Sequence, residues 1–482
     1  MSEAIAGLHP ELLWRHFAAI ARIPRPSKHE AEVAAYVMET AARLGLPATK
    51  DSCGNVIVKK PASTGREGAP PICLQSHLDM VCEKNAEKEH DFLKEPIELV
   101  RKGDLLMANG TTLGADNGIG VATSLAVMED RTLEHGPLEF LFTVEEETGL
   151  AGAQHVDGTL LESRILLNLD SEEEGAVYVG CAGGRDTVGR YSVSRERVPT
   201  GLAPLTLTLK GLRGGHSGLD IDKGLGNAIK LVNRAVLALS AAGGRLASMH
   251  GGNMRNAIPR ECSAVLFVPA EKLDTARALV QDLDALFKEE YKGVEPDLVL
   301  LLAQADEVQG TVLTQGSQDA LCRAIAALPH GVLHMSAEIP GLVDTSTNVA
   351  VVATTETEVT LVTSQRSATP SRLTEAVQSV QAVMELSGAQ VESSDGYPGW
   401  KPNLESPILK VAKDSYRSLY EKEPEVKAIH AGLECGILGE RVPGLDMISF
   451  GPTLVSVHSP EEKIYIGSVE KFWEFLLEIL KR

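Results

Sequence analysis

Apolar and polar positions along the chain sort into short strands and amphipathic helices that take turns, the rhythm of an α/β protein. The first segment, 10–44, predicts two helices, PELLWRHFAAIARI and KHEAEVAAYVMETAARLG, split by the breakers Pro24-Arg25-Pro26-Ser27 and closed by Gly45. Both read as packing elements. ICLQSHLDMV (72–81) predicts an apolar strand, and a Lys- and Glu-rich stretch then leads to a glycine-rich turn at 110–118 that opens an apolar helix near 118–129. LEFLFTVEEE (138–147) and RILLNLDSEE (164–173) predict two more strands, each running from apolar into acidic residues.

Near 185 the texture changes. RYSVSRERV and PLTLTLKGL alternate with the period of a strand, GNAIKLVNRAVLALSAAG (226–243) has helical spacing, and ECSAVLFVPA with its following helix starts a second round. LVLLLAQ, NVAVVATTETEVTLVTSQRS and a helix over 371–387 extend this region to about 390, where SSDGYPGWKP supplies a Gly/Pro-rich return. A helix at 406–420, the VKAIHAGLECGIL segment, the DMISFGP strand and a helix at 467–481 complete what the first 185 residues begin. The pattern predicts a discontinuous domain with a second domain inserted into it.

Composition narrows the class. With 482 residues, at about 150 per domain, the chain can bury a substantial core. The formal charge of −20 disfavours nucleic acid and anionic membrane surfaces as partners. Seven scattered cysteines without a C-x-x-C pair argue against a disulfide framework and a zinc knuckle, so a reducing cytoplasm is the expected home. No basic-then-apolar leader opens the sequence and no apolar run approaches 18 residues, so the chain is expected to be soluble and not exported.

Five local patterns can carry chemistry. In Ser76-His77-Leu78-Asp79, residues two apart on a strand share a face, so Asp79 can orient the His77 imidazole; a surface His and Asp fit as well. Asp116, in Leu113-Gly114-Ala115-Asp116-Asn117-Gly118, sits where a helix N-cap is expected, yet the flanking glycines permit a backbone that a cap does not need. Glu145, Glu146 and Glu147 close a very apolar strand, either as a solvated face or as acids gathered around a cation. Asp170 ends a further apolar strand, and His458 lies in a late His-Ser-Pro-Glu-Glu run. Ligands of open α/β sheets bind beyond the carboxyl ends of the strands, and one histidine plus carboxylates, repeated, is the donor set of a two-metal hydrolytic site. The string Gly214-Gly215-His216-Ser217-Gly218 is one residue short of a serine nucleophile elbow, which disfavours a serine hydrolase. No phosphate-binding loop or intact dinucleotide fingerprint is present.

The set SHLDM, LGADNG, EEETG, LNLD and HSPEE resembles the co-catalytic zinc metallopeptidases that include carboxypeptidase G, tripeptidase T and the dipeptidases. The longer strings HLDMVCEKN, GTTLGADNGIGVA, GLRGGHSGLDI, GGNMRNAIPRE, HAGLECGIL and HSPEE are similar to its aminoacyl-histidine (Xaa-His, carnosinase-like) dipeptidase branch, over essentially the whole chain. The resemblance implies an α/β fold: a discontinuous catalytic domain (1–186 and 397–482), with a mixed sheet flanked by helices, and an inserted α+β lid domain (187–396). It implies that His77, Asp116 and Asp170 bind one zinc while Asp116, Glu147 and His458 bind the other, with Asp116 bridging. Glu146 is then the general base, Asp79 orients His77, and His216 stabilises the oxyanion. Asn256 and Arg366 are candidate substrate contacts, with Arg366 suited to a C-terminal carboxylate. His430 and Glu434 fall in a loop that the family places at the substrate pocket, where Glu434 can meet a free ammonium.

The expected activity is hydrolysis of dipeptides with free termini, preferring a C-terminal histidine, by a water that two metals activate and Glu146 deprotonates. A broader dipeptidase, tripeptidase or deacylase is the runner-up, and a catalytically silent binding homologue is disfavoured because ligands and base are all present. Zinc is the expected metal, though cobalt and manganese suit the same donors. A small peptide is the expected partner, and homodimerisation stays open.

Overall fold

The computed structural model describes residues 3–305 and 310–482. They form two compact units.

The first unit comprises the chain up to Cys181, Trp400–Ala428 and Leu433–Arg482. Its main sheet runs in the order Ala48–Lys50, Val56–Lys60, Leu138–Thr143, Ile72–His77, Ile165–Asn168, Asp446–Ser449, Ala176–Cys181, Glu425–Ile429. The four strands from Leu138–Thr143 to Asp446–Ser449 are mutually parallel, and antiparallel neighbours flank them. Parallel strands covered on both faces read as continuous apolar runs, and every residue of Ile72–His77 and Leu138–Thr143 is buried. Both expected N-terminal helices form, as Glu11–Ile20 and Ala31–Leu44. The first buries Leu13, Trp14, Phe17 and Ile20, spaced along one helical face. The second stops at Gly45, whose left-handed backbone (φ 72°) lets its N–H return to the Ala41 and Ala42 carbonyls. Helices Ala115–Glu129, Pro407–Tyr420, Glu434–Arg441 and Ile466–Leu480 belong to the same unit.

The second unit comprises Ala182–Gly399 and Ile429–Gly432. A nine-stranded antiparallel sheet holds Leu202–Lys210, Cys262–Pro269, Arg245–Gly251, Val343–Thr354, Glu358–Ser367 and Gly183–Ser192 at its centre. The alternation read in PLTLTLKGL is real: Leu205, Leu207 and Leu209 are buried and face the core with helices Ala228–Ala241 and Leu273–Glu290.

The expected division at 186/187 and 396/397 differs from the observed one, which falls at 181/182 and 399/400. The four residues 429–432 also pass to the second unit. The Ala182 N–H donates to the Ile429 and Ala431 carbonyls, and Gly432 packs so closely on Tyr397 that a Cβ there would lie 2.8 Å from its ring. The seven cysteines are free thiols, and among the described residues no helix is long and apolar enough to cross a membrane.

Candidate active site

Parallel strands deliver their carboxyl ends to one edge of a sheet, and the acids and histidines singled out in the sequence gather there. His77 is the last residue of its strand; Glu145–Glu147 follow Leu138–Thr143 by one residue, and Asp170 follows Ile165–Asn168 by one. The His77 Nε2 lies 3.0 Å from Asp116 Oδ1 and 3.4 Å from Asp170 Oδ1. The His458 Nε2 lies 3.0 Å from Asp116 Oδ2 and 3.1 Å from Glu147 Oε2. Asp116 therefore offers one oxygen to each histidine. Three groups of side chains bring donor atoms within 4.8 Å of one another: His77, Asp116 and Asp170; Asp116, Glu147 and His458; and His77, Glu146 and Glu147. Glu145 takes part in none of them and has a left-handed backbone (φ 52°).

Asp116 is not the helix cap that its position suggests. Gly114, left-handed at φ 68°, stands at the N-cap, and Asp116 and Asn117 depart from helical geometry before the helix settles. That departure turns the Asp116 carboxylate toward the two histidines. The next residue serves the same cluster: Asn117 Nδ2 donates to the Leu169 carbonyl at 2.7 Å and also to the Asp170 carboxylate.

The electrostatics follow from crowding. Its hydrogen bonds to the Asp116 and Glu147 carboxylates push the His458 imidazole up to about 11. Burial alone would depress His77, but Asp170, Asp116 and Asp79 outweigh it and hold the imidazole above its usual range. Burial, with Asp116 and Glu147 adding, lifts Asp170 to about 6 against the pull of His77. Glu146 is raised as well, by burial first and then by Asp170 and Glu147. Glu147 Oε1 is buried without a hydrogen-bond partner. A group of like-charged carboxylates with a buried, unpartnered oxygen and two imidazoles is a donor set that fits divalent cations.

Asp79 does more than sit beside His77, whose Nδ1 is 3.3 Å from Asp79 Oδ1. It accepts the Glu146 N–H at 3.0 Å, the Glu147 N–H at 3.1 Å and the Ser27 hydroxyl at 2.7 Å. One buried carboxylate thus sets both the imidazole and the backbone that carries the two glutamates. The Ser27 contact and Glu30, which accepts the Glu145 N–H at 3.0 Å, show that the stretch between the first two helices is part of the site scaffold and not packing alone. Its sequence signal was polar residues placed inside a breaker run that joins two apolar helices.

Glu434 was expected in a loop. It is the first residue of helix Glu434–Arg441 and is fully buried, accepting from Gln75 Nε2 at 2.5 Å and Thr143 Oγ1 at 2.9 Å. Burial and Asp170 push its carboxyl up to about 7, with the Thr143 and Gln75 bonds opposing.

The other predicted residues lie in the second unit. Gly215 and His216 pair with Ile258 and Ala257, and the next helix starts only at Ala228, so the strand–turn–helix of a serine elbow is not formed. His216 Nδ1 accepts the N–H groups of Gly218 (3.2 Å) and Leu219 (3.1 Å), which leaves the proton on Nε2. Burial, then Arg366, brings this imidazole down to about 4, so it is a neutral donor. Gly218 cannot be replaced without movement: a Cβ would lie 2.1 Å from the His430 carbonyl oxygen. His430 is buried with Nε2 2.7 Å from Ser346 Oγ, and burial together with Arg366 lowers it to about 3. Arg366 itself is 6% exposed, donates to Tyr397 Oη at 2.7 Å, and forms no ion pair among the described residues. Asn256 is exposed, and its backbone carbonyl accepts the Ser217 N–H at 2.8 Å.

Residues 73–482 match the model of peptidase family M20/M25/M40. The chain is 43% identical, over all of its length and 99% of the relative's, to the cytosol non-specific dipeptidase of Escherichia coli (strain K12). It is also 43% identical to the aminoacylhistidine dipeptidase of Vibrio alginolyticus, whose crystal structure it matches at a TM-score of 0.90 over 99% of this chain and 97% of that one. A tripeptidase structure from Staphylococcus aureus shares the fold at a TM-score of 0.57 and 18% identity, covering 98% of each chain.

Proposed function

From the premise that the chain belongs to peptidase family M20/M25/M40, we propose that it hydrolyses dipeptides with free termini, by two divalent metal ions and a glutamate base. The observation that carries this reading is the pair of donor groups that share Asp116, placed at the carboxyl ends of parallel strands. His77, Asp116 and Asp170 would hold one ion, and Asp116, Glu147 and His458 the other. When bound, such ions polarise a scissile carbonyl and make water more acidic.

The chain's own groups do the rest. Glu146 accepts the proton of the attacking water and returns it to the leaving amine; its raised affinity for protons, caused by burial and neighbouring acids, suits a base near neutral pH. Asp79 fixes the Glu146 backbone through its N–H and so aims the base. His216, neutral with its proton on Nε2, is the donor assigned to the developing oxyanion. Arg366, buried and without an ion-pair partner among the described residues, suits the substrate's C-terminal carboxylate. Asn256 and His430 complete the assigned substrate contacts, and Glu434 is the assigned partner of the free ammonium. Zinc is the proposed metal, with cobalt or manganese as substitutes. A cytoplasmic setting agrees with the free thiols and with the name of the E. coli relative.

Preference for a C-terminal histidine is supported by the name of the Vibrio relative, whereas the E. coli relative's name favours the broader reading. The test is to measure hydrolysis of β-Ala-His, Gly-His, Gly-Leu and a tripeptide by metal-reconstituted protein. The histidine dipeptides are expected to be cleaved fastest and the tripeptide slowest. Faster cleavage of Gly-Leu removes the histidine preference and leaves the reaction class; no cleavage of any dipeptide overturns the activity.

A further inference from the structure

Glu462, the last residue of the HSPEE run, has no part in any of the three donor groups, yet it is 2% exposed. Its carboxylate spans four successive backbone amides: Oε2 accepts from Leu113 (2.7 Å) and Gly114 (2.9 Å), and Oε1 from Ala115 (2.8 Å) and Asp116 (3.3 Å). The turn that presents Asp116 is thus gripped by its N–H groups from one side. From the carbonyl side it is held by Arg25, 3% exposed, which donates to the Gly114 carbonyl and, at 2.9 and 2.6 Å, to those of Leu78 and Asp79. The glycines of LGADNG make room for this: a Cβ on Gly114 or on Gly118 would lie 2.6 or 2.7 Å from an Arg25 guanidinium nitrogen.

The grip matters most for His458. That residue has a left-handed backbone (φ 59°), its side chain is 51% exposed, and among the described residues its imidazole is paired with Asp116 and Glu147. Packing does not place it; the turn it stands on does. That turn is closed by the Ser459 hydroxyl on the Ser456 carbonyl (2.7 Å) and by the Glu462 N–H on the Ser459 carbonyl (3.0 Å). Its buried end is Glu462.

We propose that Glu462 is a positioning residue for the two-ion site: by clasping residues 113–116 from the same turn that carries His458, it fixes the bridging carboxylate and the exposed imidazole relative to each other. Arg25 is the counter-clasp that keeps the same turn against the strand end carrying His77. The inference rests on the reading of Asp116 and His458 as ligands. Side chains that hold ligands in place typically contribute about tenfold to a hundredfold in metal affinity.

The experiment is a Zn²⁺ titration of full-length, metal-stripped protein against a chromophoric chelator, with circular dichroism at 20 °C as the check of folding. Glu462→Gln keeps the shape but turns an NH₂ group toward backbone donors; Glu462→Asp keeps the charge and shortens the reach. Folded Glu462→Gln is expected to bind one of its two equivalents at least about tenfold more weakly than wild type. Glu462→Asp should fall between the two. Wild-type affinity for both equivalents in either folded variant overturns the proposal. So does loss of the fold in both variants, because the carboxylate is then a determinant of folding and not of ligand position. His458→Ala, titrated alongside, tests the underlying reading separately: if it still binds two equivalents with wild-type affinity, the ligand assignment fails whatever Glu462 does.

Discussion

Histidines of the two clusters, one in each unit, are driven in opposite directions. Beside Asp116 and Glu147, His458 is pushed up to about 11; burial, then Arg366, brings His430 down to about 3 and His216 to about 4. In the first neighbourhood four acids, Asp116, Glu146, Glu147 and Asp170, crowd two imidazoles, a donor set suited to cations. In the second, burial first and the Arg366 guanidinium next keep the imidazoles neutral, and Arg366 has no ion-pair partner among the described residues. The same side chain is a prospective cation ligand in one unit and an uncharged hydrogen-bond donor in the other.

The contrast breaks most visibly at Asp116. Asp116→Ala removes the carboxylate that meets both histidines, so activity should drop to background and metal content should fall below two per chain by elemental analysis; two retained equivalents would mean that the acids are not what gathers the cations. Glu146→Gln should lower kcat by about 10²–10⁴ while metal content stays at the wild-type level. Normal turnover at full metal occupancy would remove Glu146 as the base.

In the second unit, Arg366→Met should raise KM for a dipeptide by about tenfold to a hundredfold, the size of a lost charged hydrogen bond. It should also let the His430 resonance titrate at higher pH, because the charge that depresses it is gone. An unchanged KM would show that this guanidinium is not the anion receptor.

A subtler effect concerns protons. In metal-free protein the folded-state pKa of His458 lies above its ordinary value of 6.5, so its stabilising contribution is full below pH 6.5 and is lost as pH rises through about 11. Metal needs the neutral imidazole, so calorimetry at pH 8 in buffers of different ionisation enthalpy should register proton release on Zn²⁺ binding. Smallest of all, Ser346→Ala removes one hydrogen bond to His430 and should cost about 0.5–1.5 kcal/mol in denaturant unfolding, with little change in kcat.

Much of this was legible before any coordinates. Largely apolar runs ending in acids marked the parallel strands and their carboxyl edge, since a strand buried on both faces is mostly apolar. The donors His77, Asp116, Glu147, Asp170 and His458 stood at those ends or in turns, where residue type alone was informative. What holds them was not legible. Arg25, Glu30 and Glu462 act through backbone carbonyls and amides 53 to 349 positions away and Ser27 through the Asp79 carboxylate 52 positions away, and such contacts leave no periodicity. Glu434 was expected in a loop only because the family resemblance places it there; Gln75 and Thr143, which donate to it, lie in strands read as apolar. The transfer of 429–432 to the second unit likewise had no shift of composition to announce it.

That last feature bears on how the molecule can be taken apart. An insertion is commonly treated as a cassette, cut at its two chain crossings and moved to another host. Here the second unit also borrows a tetrapeptide from a later excursion of the chain, hydrogen-bonded at Ala182 and packed on Tyr397. A graft of 182–399 alone would leave that donor and that ring without the tetrapeptide that meets them. The gene is modular at two joints; the protein is modular only at four.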